Sequence, residues 1–393
     1  MEVKFEDSKK LISFDEMQSI CDNTDNFDCV DEVIYGRTTR SFNYRLDIFD
    51  TFNQLAGRNF RGTTYDLETK ELLAAPFFKF FNYNQSPFTL DITIRSWNII
   101  NVFEKVDGSM IYFYKVNDNL VARTQRRCSN IQSIRAMYIV NNNERLKNYI
   151  NKVIDDGYTP IFELISPIYD QHIVYYNVEL LCFLALRDRT TGKVYCSDST
   201  EAPIYKEESL NTYPIVESFT NIKEIVDLCT NQVIDNRKDL REGFVVLFDN
   251  NELIKFKRLQ FINLQRLRDS ITNEKNIASM LFMGTLDDIF YEFRDNQIIL
   301  DYVNNIIQCI DDTWNKRLKF CKSYYEDNKH LDKKQFAIKA QKELDKKDFA
   351  IVMLYLKSDG DPILDRLQDS YIKNKEWQLS KLYKGEMIMK EDN

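Results

Sequence analysis

Two hydrophobic periodicities divide this chain, and the change from one to the other comes at a single place. From about Asp31 to Gln260 the apolar residues fall in short β-rich runs separated by turn signals: VIYGRTT, FRGTTYD, NVFEKVDGSMIYFYKV, LVARTQ, TPIFELI, LLCFLALRD and GFVVLFDNNELIKFK. Runs of this length and composition mark strands of a mainly antiparallel sheet. After about Phe261 the pattern becomes helical, with Ile299, Val303, Ile306, Ile310 and Trp314 recurring three or four apart on one face. The fold class expected is therefore α+β. Residues 1–262 form a core of antiparallel sheets with helices, and residues 263–393 form an all-helical domain. Near the end, FAIVMLYLKSDGDPILDRL predicts a helix stopped by Gly360 and a second one opened by Pro362. No internal repeat, low-complexity tract or long linker interrupts the two parts.

Composition excludes other classes. With 44% hydrophobic and 29% charged residues but only 10 Gly and 7 Pro, the chain reads as globular throughout. The opening MEVKFEDSKKLISFDEM has no apolar core, and the longest apolar run, around Leu180 to Leu186, is far too short to span a bilayer. The expectation is a soluble, cytoplasmic protein with no membrane partner. Its eight cysteines show no CxxC pair and fall mostly in apolar stretches, which reads as reduced thiols. Only His172 and His330 are available, so a structural zinc site is not expected and the chemistry must rest on Lys, Arg, Asp and Glu. A net charge of −8 describes only the average. Basic residues are dense at Arg123, Arg126, Arg127 and Arg135, and again at Lys255, Lys257, Arg258, Arg266 and Arg268. Each cluster is either one wall of a positive groove or an ordinary solvated face.

The most informative segment is FEKVDGSMIYFY, where Lys105 stands two residues before Asp107-Gly108. Its simplest structure is a β-hairpin with Asp-Gly in the tight turn. A lysine at the edge of such a turn can project into the mouth of a sheet as a nucleophile toward phosphorus. Attack needs the neutral amine, so neighbouring positive charge or desolvation should depress its pKa. In LIKFKRL, Lys255 and Lys257 are two apart in a strand and share a side. Glu242 leads the hydrophobic strand EGFVV, and Glu163 in TPIFELISP is flanked by apolar Phe162 and Leu164.

The serial order KxDGS, xFExxxP, LLCFLALR, EGFVV, KFK resembles the motifs of the covalent nucleotidyltransferases, the ligase and capping-enzyme superfamily. Upstream, AGRNFRGTTYD followed by APFFKFFNYNQSPF resembles the segment before the nucleophile in the bacteriophage RNA ligase 1 family. The likeness continues through GTLDDI, from Gly284 to Ile289, and SYYEDNKHLDKKQFAIKAQ. The resemblance implies a nucleotidyltransferase (ATP-grasp-like ligase) core and an ATP-dependent RNA ligase. Such an enzyme joins 3′-hydroxyl and 5′-phosphate RNA ends, as in cleaved tRNA, through lysyl-AMP and RNA-adenylate. It further implies Mg²⁺, or Mn²⁺ in its place, and a virus-encoded monomer acting in a host cell.

Carried over by position, Lys105 matches the adenylylated nucleophile, with Asp107 and Gly108 completing its motif. Arg61 and Lys79 match positions on the ATP β and γ phosphates, and Glu163 the carboxylate at the ribose. Glu242 matches the carboxylate serving the catalytic metal, Lys255 and Lys257 the pair on the α-phosphate, and Asp287 an acid linked to a second metal. Where the family often has a Ser-Lys-Gly-Ser type segment this chain reads RTQRRCSN, which leaves Gln125 or Arg127 as the base contact. The aromatic packing on adenine is left open between Phe162 and Phe183. Two rival readings are a nucleotidyltransferase acting on DNA ends or protein, and a non-catalytic RNA-binding relative. The second should lack a motif, and all five are present.

Overall fold

The computed structural model describes residues 5–45, 47–167, 173–174, 176–196, 210–211, 219, 221–232, 234, 239–271, 274–283, 285–294, 297–360, 362 and 367–368. The chain divides into two compact units, Met1–Ile262 and Asn263–Asn393.

Among the described residues, the first unit is built on three antiparallel sheets. Strands β1 (Phe27–Ile34) and β2 (Arg37–Tyr44) form a hairpin through Tyr35 and Gly36, both at positive φ, as a two-residue turn demands. With β3 (Arg61–Asp66) and β4 (Leu72–Ala74) they make a four-stranded sheet in the order β1-β2-β3-β4. Helix α1 (Phe14–Asn23) starts at a capping box between Ser13 and Glu16 and buries Phe14 and Met17 against Phe27, Phe42, Phe60 and Tyr65. Two one-turn helices follow, α2 (Phe49–Phe52) and α3 (Asp91–Ile94).

Strand β5 (Ile99–Lys105) leads into β6 (Ser109–Val116), β7 (Asn119–Arg123), α4 (Ile131–Asn141) and α5 (Glu144–Asp155). Then come β8 (Tyr158–Ile165), β9 (Leu180–Asp188), β10 (Val194–Cys196), α6 (Ile222–Asn231), β11 (Gly243–Phe248) and β12 (Leu253–Lys257). They assemble as a five-stranded sheet, β10-β9-β8-β6-β7, and a three-stranded sheet, β12-β11-β5.

Strand alternation sorts the side chains into layers. Phe103, Val245 and Leu253 of the three-stranded sheet join Tyr112, Ile161 and Leu184 of the five-stranded sheet in one core. The far face of the five-stranded sheet packs Phe113, Phe162, Leu164 and Phe183 against α4 and α5, and Val102, Phe244 and Val246 pack under α6. The segment after β4 protects an edge, because Lys255 donates its backbone N–H to Phe81 and its carbonyl accepts from Tyr83.

The hairpin expected around Asp107-Gly108 does not form. Strand β5 belongs to the three-stranded sheet and β6 to the five-stranded one, so the chain crosses between sheets just after Lys105. Gly108 is required for close approach and not for a turn: a Cβ there would lie 2.5 Å from the Leu164 carbonyl oxygen and 2.6 Å from Glu163 Cγ.

In the second unit, α7 (Leu259–Ile271) runs on from the end of the first, followed by α8 (Glu274–Met283), α9 (Asp287–Glu292), α10 (Gln297–Asn328), α11 (Lys333–Glu343) and α12 (Lys346–Lys357). The stripe of Val303, Ile306, Ile310 and Trp314 on α10 is buried with Phe336 of α11 and Val352 of α12. Gly360, at φ +92°, returns its N–H to Tyr355 O and ends α12 as the sequence predicts. The helix expected after Pro362 lies almost wholly outside the described residues.

Gly108→Ala is expected to cost about 1–3 kcal/mol, because β8 cannot retreat without breaking its ladder. Chemical denaturation checks this, and an unchanged midpoint would show that the crossing tolerates a side chain.

Candidate active site

Register brings the charged residues together. In the three-stranded sheet Gly243 sits opposite Lys105 on one side and Lys257 on the other, so the preceding Glu242 lies between two lysines. Its buried carboxylate takes both: Oε2 is 2.6 Å from Lys105 Nζ and Oε1 is 3.0 Å from Lys257 Nζ. Gly243 permits this arrangement. It has φ +145°, and a Cβ on it would fall 2.1 Å from the Phe256 carbonyl oxygen.

Lys105 also borders a cavity of about 210 Å³ between the sheets. Arg61, Glu163 and Lys255 share its lining, with Phe77, Phe80, Val106, Leu184 and Leu253 as apolar walls. Glu163 enters from β8 because its neighbours Phe162 and Leu164 face the opposite core. The Phe80 ring lies 4.6 Å from Lys255 Nζ and 5.5 Å from the Arg61 guanidinium, so the KFFN segment provides a π-face for two cations. Arg61 Nη1 is buried with no hydrogen-bond partner among the described residues. A buried donor of that kind is costly unless a ligand completes it.

The electrostatics correct one expectation. Burial pushes the Lys105 amine down, but the charges of Glu242 and Glu163, the hydrogen bond to Glu242 and the charge of Asp107 outweigh it, holding the amine above the ordinary lysine value. Lys255 is depressed instead, lowered by burial and then by the charges of Arg61, Lys105, Lys79 and Lys257, and burial lowers Lys79 as well. Carboxylates surround the Lys105 amine and cations that of Lys255. Burial raises Glu163 to about 7, offset in part by Lys105 and reinforced by Glu242.

Other expected residues stand elsewhere. Asp107 does not line the cavity; its Oδ2 accepts from the backbone N–H groups of Ile173 (2.8 Å) and Val174 (3.0 Å), while its own N–H donates to the Tyr176 hydroxyl. Nothing in the sequence signalled that clamp. Lys79 is also outside the lining, its ammonium 2.5 Å from Asp47 and over the rings of Tyr44 and Phe52. Phe162 and Phe183 are fully buried core residues packed edge to face, and neither reaches the cavity. Phe77 and Phe80 are its aromatic residues; they lie in the APFFKFFNYNQSPF segment, where the sequence reading had singled out Lys79 and not the rings. Gln125 and Arg127 do not line it either. Asp287 is exposed in the first turn of α9, and among the described residues no group of three or more His, Cys, Asp or Glu could hold a metal. The Arg123 cluster divides: Arg123 is buried on Glu32 and Arg135 is paired with Glu179, while Arg126 and Arg127 stay exposed.

A family model described as RNA ligase matches residues 59–267, and one described as T4 RNA ligase 1, C-terminal domain, matches residues 268–383. The chain belongs to the T4 RNA ligase 1 family of RNA ligases. A protein assigned as an RNA ligase in Thermovibrio ammonificans is 32% identical over 149 residues, 38% of this chain and 39% of that protein. One assigned as a bifunctional polynucleotide kinase/RNA ligase in Autographa californica nuclear polyhedrosis virus is 26% identical over 264 residues, 62% of this chain and 36% of that protein. The chain thus spans well under half the length of these relatives. Among solved structures, an Aquifex aeolicus protein assigned as an ATP-dependent DNA ligase is similar at 16% identity and TM-score 0.46, covering 77% of this chain and 81% of that one.

A carboxyl whose pKa is raised on folding loses folding stability as pH climbs from the ordinary carboxylate range through about 7. Glu163→Gln is therefore expected to melt a few degrees above the parent at pH 8, with the gap closing at pH 5. A gap independent of pH would mean that Glu163 does not titrate in this range.

Proposed function

We propose that this protein is an ATP-dependent RNA ligase that carries AMP on Lys105 and joins RNA 3′-hydroxyl and 5′-phosphate ends. The observation that carries the reading is the shared cavity, in which a lysine held by Glu242 faces Arg61, with an unpartnered buried donor, and the charge-depressed Lys255. Family membership supports it. The viral relative's name couples an RNA ligase to a polynucleotide kinase, whose chemistry leaves a 5′-phosphate.

Three in-line transfers would use one site. The Lys105 ammonium releases a proton to water, and the neutral amine attacks the α-phosphorus of ATP as pyrophosphate leaves. The RNA 5′-phosphate oxygen then attacks lysyl-AMP and releases the lysine, and the RNA 3′-hydroxyl oxygen attacks the adenylylated end and releases AMP. In this reading Arg61 takes the terminal phosphates, Glu163 the ribose, and Lys255 the α-phosphate. A phosphate arriving beside Lys255 would oppose the burial and neighbouring cations that lower it and favour its charged form. Lys257 holds Glu242 in place. Gly108 leaves room beside Glu163. Lys79 can reach the β and γ phosphates only by leaving Asp47, and Asp107 serves by anchoring residues 173–176.

Glu242, with Glu163 beside it in charge, fits a hard divalent cation, which is commonly held by one or two carboxylates and the substrate's phosphates. Bound there, Mg²⁺ or Mn²⁺ supplies charge neutralisation at the α-phosphate. Asp287, exposed on α9, stays proposed as an acid linked to a second metal. The native substrate proposed is nicked tRNA, whose folded shape a rigid helical unit can read. The enzyme is proposed to act as a monomer, and its eight free thiols suit a reducing cytoplasm such as that of a virus-infected host cell.

Label from α-labelled ATP, and none from γ-labelled ATP, is expected on the wild-type chain. Lys105→Ala should carry no label yet still seal pre-adenylylated RNA, and covalent AMP on that variant at the parent's level would defeat the assignment. Lys255→Ala should slow labelling by about two to three orders of magnitude, as does loss of one preorganised charge at a transferring group. A panel of nicked tRNA, single-stranded RNA and DNA ends tests the acceptor.

A further inference from the structure

A second, wider cavity of about 390 Å³ lies in the first unit, lined by Tyr44, Arg45, Thr124, Gln125 and Arg126. Every lining side chain is polar or charged. The RTQRR loop after β7, which departs from the family pattern, supplies three of the five. Its charge balance is positive. Arg126 Nη1 is 3.0 Å from Asp28 Oδ2, and Arg45 Nε reaches the same oxygen only at 3.6 Å, so two guanidinium groups share one carboxylate. Asp47, two residues after Arg45, is engaged by Lys79, and Glu32, which meets the loop at Cys128 and Ser129, is paired with Arg123. The side chains of Arg45 and Arg126 remain 54% and 48% exposed, and Arg127, next in the chain, is exposed as well.

This cavity adjoins the first through β3. Arg61 lines the nucleotide cavity, and the following residue, Gly62, lies so close to the loop that a Cβ on it would fall 2.8 Å from the Gln125 carbonyl oxygen. Tyr44, which lines the second cavity, is also near enough to Arg61 to act on its charge. An RNA strand whose 5′-phosphate meets an AMP on Lys105 must leave the catalytic cavity past neighbouring groups. Half-exposed arginines beside amide, hydroxyl and phenol groups suit a phosphodiester backbone and its sugars.

We infer that Arg45 and Arg126 form a phosphate-binding subsite for the single-stranded RNA bearing the 5′-phosphate, an inference that rests on the RNA ligase reading above. The same chemistry could serve the terminal phosphates of ATP, so the test must separate the two sources.

The full-length parent, Arg45→Ala, Arg45→Glu and Arg126→Ala are compared in three measurements. These are transfer of label from ATP to the protein, binding of a 5′-phosphorylated 12-residue oligoribonucleotide across a salt series, and thermal melting. The expected result is unchanged labelling with RNA affinity roughly tenfold weaker in the alanine variants and weaker still in Arg45→Glu. The log–log salt slope should be shallower by about 0.7 per arginine removed, the value for one phosphate contact on a single strand. Arg126 also donates to the Tyr44 carbonyl, so the exposed Arg45 pair of variants decides the matter if Arg126→Ala melts early. Loss of ATP labelling with RNA binding intact would assign the cavity to the triphosphate and overturn the inference, as would RNA affinity and slope equal to the parent's. A parent that takes no label and binds no RNA would instead refute the ligase reading itself.

Discussion

One buried carboxylate ties three strands together at the point where the chemistry is proposed to occur. Glu242 is 3% exposed and accepts from Lys105 at the end of β5 and from Lys257 at the end of β12, on either side of its own strand β11. Removing a partner from such an arrangement strands charge away from water, which is why buried ion pairs are far costlier to break than their net contribution suggests. The sheet register and the charge arrangement therefore specify each other. Lys105 and Lys257 flank Gly243 because the ladder sets them there, and the carboxylate can bridge them because Gly243 accepts a backbone that a side chain would block.

From that point the cavity divides by sign. Carboxylates hold the Lys105 amine in its charged form, while burial and surrounding cations push Lys255 the other way. The proposed nucleophile is thus paired with its own neighbours, and positive charge gathers on the other side of the cavity. A bound nucleotide would meet that charge at Arg61 and Lys255. The apolar walls, with Phe80 beneath both cations, keep the local dielectric low enough for these effects to be large.

The surroundings of the cavity show how much of a motif can be scaffolding. Asp107 spends its carboxylate on the backbone of residues 173 and 174, and Arg58 is buried on Glu252 at the turn before β12 with Phe5 and Phe78 on its faces. Lys9 adds a second cation to Glu252. These ties hold the β11–β12 hairpin, and with it Lys255 and Lys257, against the amino-terminal segment.

Local pattern was sufficient for the broad architecture. Alternation up to Gln260 and the three-to-four spacing along Ile299–Trp314 declare strand and helix because side-chain periodicity is a property of the local backbone. Residue type and serial order also singled out Lys105, Glu163, Glu242 and Lys255, which the structure brings to one place. Pairing, by contrast, is non-local. An Asp-Gly between two apolar runs is the same string whether the strands pair or part, and only the sheets to which β5 and β6 are committed made Lys105–Gly108 a crossing. The sign of the Lys105 shift depended on Glu242, 137 positions away in sequence and 2.6 Å away in space. Phe162 and Phe183 proved to be core while Phe80 reached the cavity, since the face a strand presents is decided by what packs on it. The sequence determined which groups are available and on which kind of element; the tertiary structure decided which meet, because Coulomb and packing forces act across space and not along the chain.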